Sequence, residues 1–161
     1  MEINIVPIAP THNKALATII RAALEEFGAN KPGTAYFDKC TDNLYELFSE
    51  TPHSFYFVAL ADDKVLGGGG IFPTEGLGAD CCELVKMYLT PSARGTGLGQ
   101  QLIATCLAKA KKIGFTYVYL ETMPELEKAV SVYEKFGFTY LKAPMGNTGH
   151  NGCNIWMLKE I

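Results

Sequence analysis

The stretch ARGTGLGQQ at residues 93–101 places Arg94 ahead of glycines at positions 95, 97 and 99 and runs directly into an apolar-periodic segment. Glycine at the mouth of a helix lets backbone N–H groups approach an anion closely, the helix dipole adds a favourable field, and an arginine adds a full charge. The chemistry is that of a phosphate grip made by main chain. A dinucleotide-binding turn needs G-x-G-x-x-G. Counted from Gly95 the sixth position is Gln100, so the pattern fails, although Glu121 could imitate the ribose-binding acid. A nucleotide P-loop needs lysine before its final Ser or Thr. The nearest stretch, GANKPGT at 28–34, lacks that lysine and follows no strand. A cradle for the diphosphate of coenzyme A fits more of the residues. A plain tight turn accounts for one of the glycines but less well for three and an arginine.

Three other features suggest chemistry and carry less. His150 and Cys153 are too few for a zinc site, and a Cys–His nucleophile would need a geometry that spacing does not supply. No metal is expected. Adjacent Cys81 and Cys82 point to opposite faces of a strand, so at least one is buried filler. The run Gly67–Gly70 imitates a phosphate loop but lies inside a strand-like segment, where it permits a bulge or the close approach of another group.

The elements that must position these residues follow from periodicity. EINIVPI (2–8) alternates as a strand, and 12–28 carries Leu16, Ile19, Ile20, Ala23, Leu24 and Phe27 at helical spacing. Residues 28–37 read as a loop and 41–50 as a short helix capped by Thr41 or Asp42. Segments 53–60 and 64–72 form a hairpin across Ala61-Asp62-Asp63, and 81–89 is a third strand stopped by Pro91. A long helix over about 97–113 presents Leu98, Leu102, Ile103, Cys106, Leu107, Ala110 and Ile113 on one face, with lysines at its C-terminal end and Gly114 to close it. A strand at 115–122, a helix at 125–137 and two strands at 138–142 and 154–161 complete the chain, the last two separated by the glycine-rich loop 145–153. Strand–helix–strand around the glycine stretch implies a parallel pair, and the hairpins imply antiparallel neighbours. The expected result is a mixed sheet in an α/β fold.

Composition narrows the classes. The chain has 161 residues, enough for a single domain over 1–161 with its own core. A net charge of −3 with scattered Lys and Arg lacks the basic footprint of a nucleic-acid binder. The N-terminal residues carry no signal-like pattern, and no apolar run approaches the ~20 residues of a membrane span. Five cysteines without a C-x-x-C pair read as reduced thiols. A soluble cytoplasmic protein with no membrane partner is expected.

The stretch Arg94-Gly95-Thr96-Gly97-Leu98-Gly99 matches [QR]-x-x-G-x-[GA], the pyrophosphate motif of the GNAT superfamily of acetyl-CoA-dependent N-acetyltransferases. ELVKMYLTPSA before it, VYLET after it and AVSVYEKFGF beyond stand in that family's order, so the chain resembles it over about 53–141. The resemblance implies the acyl-CoA N-acyltransferase fold: a twisted, mixed and mostly antiparallel sheet, a splayed central parallel pair, and helices on both faces. It implies acetyl-CoA as cosubstrate, with the backbone of Met87, Tyr88 and Leu89 bonding the pantetheine amides and residues 94–99 holding the pyrophosphate. One departure is Leu126, where the family often has an asparagine that touches the coenzyme.

Acetyl transfer from a thioester to an amine needs a neutral amine, stabilisation of the tetrahedral oxyanion and a proton for the leaving thiolate. The resemblance implies Glu83 as the base or organiser of a water. Period-two alternation sets Glu83 on one face with Met87 and Leu89. Tyr133, in the VYEKFGF segment, is the implied acid beside the coenzyme sulfur; a core-packing tyrosine is the plainer reading. Thr148, His150 and Asn151 in one loop, and Asn30 and Tyr36 in the other, are candidates to border the acceptor. A small-molecule or amino-acid-like primary amine is the favoured acceptor. A protein lysine or N-terminus and a non-catalytic acetyl-CoA sensor are the alternatives. Many proteins of that kind form homodimers, and nothing in the sequence identifies an interface.

Overall fold

The computed structural model describes residues 2–161. Its strands are β1 (Ile3–Pro7), β2 (Phe55–Ala61), β3 (Lys64–Phe72), β4 (Cys81–Leu89), β5 (Tyr117–Thr122), β6 (Thr139–Leu141) and β7 (Ile155–Glu160), and its helices α1 (Asn13–Glu26), α2 (Leu44–Glu50), α3 (Leu98–Ile113) and α4 (Glu127–Lys135). The strands form one sheet in the order β1-β2-β3-β4-β5-β7-β6. All neighbours are antiparallel except β4 and β5, which the crossover through α3 makes parallel. The expected mixed fold is present.

Helices cover both faces because their apolar stripes need cover. Leu16, Ile20 and Leu24 of α1 and Leu44 and Phe48 of α2 pack on Tyr56 and Val58. On the other face Ile103, Cys106 and Ala110 of α3 and Tyr133 of α4 pack on Cys82, Leu84, Val118 and Leu120. The face expected for α3 is the one that is buried.

Two boundaries differ from expectation. The helix placed at 41–50 begins at Leu44, and Lys39–Asp42 form a 3-10 turn. Neither Thr41 nor Asp42 caps it: the Thr41 hydroxyl donates to the Ala35 carbonyl, and the Tyr45 N–H finds Asn13 Oδ1 at 2.8 Å. A partner distant in sequence has replaced the local cap. The helix placed at 125–137 opens with a 3-10 turn at Pro124–Leu126 before α4.

The glycine run does both things expected of it. The β3–β4 register shifts between Gly68 and Gly70, where β4 carries the extra residue, and Lys86 sits there with φ of 50°. This is a β-bulge. A Cβ at Gly68 would meet the Tyr56 ring at 2.6 Å and one at Gly70 would meet it at 2.7 Å, so only glycine lets that ring lie across β3. Having crossed it, the Tyr56 hydroxyl donates to the Lys86 carbonyl at 2.7 Å.

The bulge overturns one expectation. Val85 and Tyr88 both pack toward α1 and α2, whereas Met87 and Leu89 pack toward α3. Glu83, which alternates with Cys82 and Leu84, therefore lies on the α1/α2 face and not with Met87 and Leu89. One inserted residue reverses the parity on which the alternation rested.

Tyr56→Phe keeps the ring and leaves the Lys86 carbonyl without its donor. Denaturant unfolding is expected to show a loss of about 1–3 kcal/mol.

Candidate functional site

β4 and β5 pair only from Cys81↔Tyr117 to Glu83↔Tyr119 and then diverge. The gap opens into a cavity of about 320 Å³ bordered by β4, the end of β5, the glycine stretch and α4. Glu83, Met87, Tyr88, Leu89, Arg94, Gly95, Gly99 and Tyr133 all line it. Thr96, Gly97 and Leu98 do not. The Thr96 hydroxyl donates to Ala93, and the Leu98 side chain is buried in the core beneath α3, so these positions offer main chain alone.

That main chain suits a diphosphate. Gly95 and Gly97 have φ of 73° and 87° with open space where a Cβ would stand, so the backbone conformation, not crowding, requires glycine. Among the described residues no protein oxygen accepts from the amides of 95–100, and α3 begins there without a side-chain cap. Unpartnered N–H groups at a helix N-terminus form an anion cradle. Arg94 is held beside it in a way the sequence does not reveal. Its guanidinium donates to the Leu89 carbonyl at 3.1 and 3.3 Å, pairs with Glu26 at 2.5 Å and lies 5.0 Å from the centre of the Phe27 ring. Leu126, at the departure from the family pattern, supplies an apolar wall.

On the α1/α2 side of the gap stands a charged cluster. Glu83 is 4% exposed and accepts from the Thr74 hydroxyl at 2.5 Å. Burial raises its pKa to about 7, with nearby Glu121 adding to the rise and Thr74, His150 and Lys86 opposing it. Polar atoms of Glu83, Glu121 and His150 lie within 4.8 Å of one another. Asp38 receives hydrogen bonds from Lys86 Nζ at 3.0 Å and pairs with His150 Nε2 at 2.6 Å. Burial pushes the Asp38 carboxyl up, but these two partners outweigh it and hold it at about 2. A second cavity of about 210 Å³ reaches Glu83 and Lys86 from the α2 side, bordered by Leu47, Phe48, Phe72 and Thr148.

On the other face, Tyr133 packs its ring edge-on to Phe138 at 5.9 Å. Its hydroxyl has no hydrogen-bond partner among the described residues, yet is not sealed within the protein. Burial raises the phenol, so it stays protonated at neutral pH. Burial also pushes the Cys153 thiol up to about 12, which keeps it in the poorly nucleophilic form.

The two loops expected to border the acceptor meet, the Gly152 N–H donating to the Gly33 carbonyl at 2.9 Å. His150 faces the first cavity and Thr148 the second. Asn151 packs against Gly33, Tyr36 bonds Glu25, and Asn30 is exposed; none of the three borders either cavity. Sequence reasoning missed Asp38, Thr74 and Lys86, and weighed Glu121 only as a ribose ligand. A signal for Glu121 exists, since it ends the strand parallel to that of Glu83.

Gly97→Ala is expected to lower stability by about 1 kcal/mol through its left-handed backbone. Gly99→Ala, whose Cβ would make ordinary contact at 3.6 Å with Leu89, is expected to be neutral or stabilising in the same thermal melts. Asp38→Asn is expected to destabilise at neutral pH. Because the folded Asp38 pKa of about 2 lies below the unfolded value of ~3.9, its contribution is complete above the unfolded value and is lost as pH falls through the folded one. Acid unfolding curves of the two proteins should therefore converge.

The sequence model of the acetyltransferase (GNAT) family matches residues 15–138. An uncharacterized N-acetyltransferase of Escherichia coli K12, YjgM, is 38% identical over 98% of this chain and 99% of its own length. The GNAT-family acetyltransferase of Staphylococcus aureus Mu50 superposes with a TM-score of 0.87 over 99% of both chains at 18% identity. The PaiA N-acetyltransferase of Thermoplasma acidophilum, solved in complex with coenzyme A, superposes with a TM-score of 0.75 over the whole of both chains at 18% identity. With the splayed strands and glycine cradle already in place, these matches identify the chain as a member of the acetyltransferase (GNAT) family and an acetyl-CoA-dependent acyltransferase.

Proposed function

We propose that the protein transfers the acetyl group of acetyl-CoA directly to a primary amine of a small molecule, with Glu83 as base and Tyr133 as acid. The observation that carries this reading is that Glu83 and Tyr133 approach one cavity from opposite faces of the sheet through the gap between β4 and β5. The amides of 95–100 and Arg94 hold the diphosphate. The unpaired edge of β4 at Met87, Tyr88 and Leu89 takes up the pantetheine as a further strand would, and an N–H of this segment polarises the acetyl carbonyl. Neighbours of the same fold solved with coenzyme A bound support coenzyme A as the donor's carrier.

The residues then divide the proton work. An alkylamine arrives as an ammonium, which the acidic cluster attracts, and it must lose a proton before attack. Glu83 takes that proton; the nitrogen forms its bond to the acetyl carbon as the carbon–sulfur bond breaks, and it sheds its second proton to solvent, from which Tyr133 regains the one it gives up. Tyr133, neutral and unpartnered, gives a proton to the departing thiolate. No covalent enzyme intermediate is needed. The acceptor's small size is supported by the modest second cavity and by the joined loops around it. A lysine or N-terminus on a protein is the rival acceptor.

A screen of amino acids, polyamines, aminoglycosides and peptides, read by release of the CoA thiol, tests the reading. Turnover is expected with small amines above peptides. Glu83→Gln should lower kcat/KM by about 10²–10⁴. In the wild type kcat/KM should rise with pH through about 7 as Glu83 loses its proton, and that step should vanish in the variant. Tyr133→Phe should lower kcat with little change in acetyl-CoA binding. Binding of acetyl-CoA without thiol release by any amine, peptide or protein would overturn the proposal.

A further inference from the structure

We infer that Glu121 is a positioning residue for the reaction: held as a fixed carboxylate beside Glu83, it makes Glu83 the better base of the two and the one that takes the acceptor's proton. The inference rests on the role of Glu83 proposed above. Glu83 is paired with Tyr119, and Glu121 follows two residues later on the same face, where the parallel strands part. Each strand thus sends one carboxylate to the same side of the gap.

Their surroundings are unequal. Glu121 accepts from the Tyr119 hydroxyl at 2.6 Å on one oxygen and from the Thr148 hydroxyl on the other. The Tyr119 oxygen itself accepts from the Met145 N–H at 3.1 Å. Both oxygens of Glu121 therefore act as acceptors in a braced network. Glu83 has one oxygen on Thr74, and no protein donor reaches the other among the described residues. It is also the more deeply buried of the two.

The other groups around Glu83 do not cancel this effect. Lys86 on β4 and His150 from the loop before β7 face it, but both are bonded to Asp38. Cys81 and Cys82 on β4, Cys153 from the same loop and Tyr119 on β5 are further titratable groups around it. All four are raised, chiefly by burial, and remain neutral. Glu121 forms no salt bridge among the described residues. Two carboxylates this close do not both ionise freely, and the one with fewer donors keeps the proton. A burial penalty alone would raise Glu83 too; the braced neighbour makes the rise depend on Glu121.

The test is a carbon-13 NMR titration of glutamate side-chain carboxyls in the full-length protein without acetyl-CoA or acceptor, with Glu83 assigned through Glu83→Gln. Glu121→Gln is expected to lower the Glu83 midpoint by about one pH unit or more, and Glu121→Asp to restore most of the difference. Thr148→Val, which removes one donor from Glu121 and draws the shared proton toward it, should lower the midpoint by a smaller amount. It supplies the decision if Glu121→Gln does not fold. In folded enzyme the acidic limb of kcat/KM against pH should move in the same direction as the midpoint. An unmoved midpoint in folded variants overturns the inference and leaves Glu83 standing as base. A midpoint that moves while the rate limb does not overturns both, because Glu83 would then not be the base.

Discussion

The bulge in β4, just beyond the point where the strand leaves β5, is held by one hydrogen bond, from the buried hydroxyl of Tyr56 to the carbonyl of Lys86. Lys86 is the residue of β4 with left-handed backbone, and a non-glycine residue stays there only when its surroundings compensate. Tyr56 reaches that carbonyl because Gly68 and Gly70 leave a flat path across β3. Three strands therefore cooperate in one distortion. Through it β4 sends Glu83 to one side of the sheet and Met87 to the other, while its far end is free of β5.

The two faces of the gap then acquire different physics. On the α3/α4 side the Tyr133 phenol lies in an apolar cluster that borders the cavity, and among the described residues the amides at the start of α3 are unpartnered. That side suits a donor held by main chain and released as a thiol. On the α1/α2 side carboxylates are packed with one lysine and one histidine, both bonded to Asp38. The remaining field is negative, which suits a cationic amine. The strand gap is the place where the two sides meet.

Much of this was legible in the residues. The core face of α3, the parallel pair around it and the glycine cradle follow from local spacing, because helix periodicity and glycine geometry act over a few residues. The resemblance named the family correctly from Arg94 to Gly99 and from the VYEKFGF segment. The failures have a common cause. Thr41 and Asp42 were plausible caps, but Asn13 satisfies the Tyr45 N–H from another helix. The alternation of β4 was sound up to Val85 and failed beyond it, because a bulge depends on the strand alongside.

The sequence by itself determined the glycine-cradle side of the gap: a glycine-gated helix start, the strand before it and the tyrosine helix after it are contiguous patterns whose geometry is set by bonds between near neighbours. Only the tertiary structure decided the charged side of the gap. Asp38, Thr74, Glu83, Lys86, Glu121, Thr148 and His150 come from separate strands, turns and loops, and their charges matter through distances of a few ångströms. No spacing along the chain encodes those distances, because they exist only after the sheet has twisted, bulged and closed its loops over the gap.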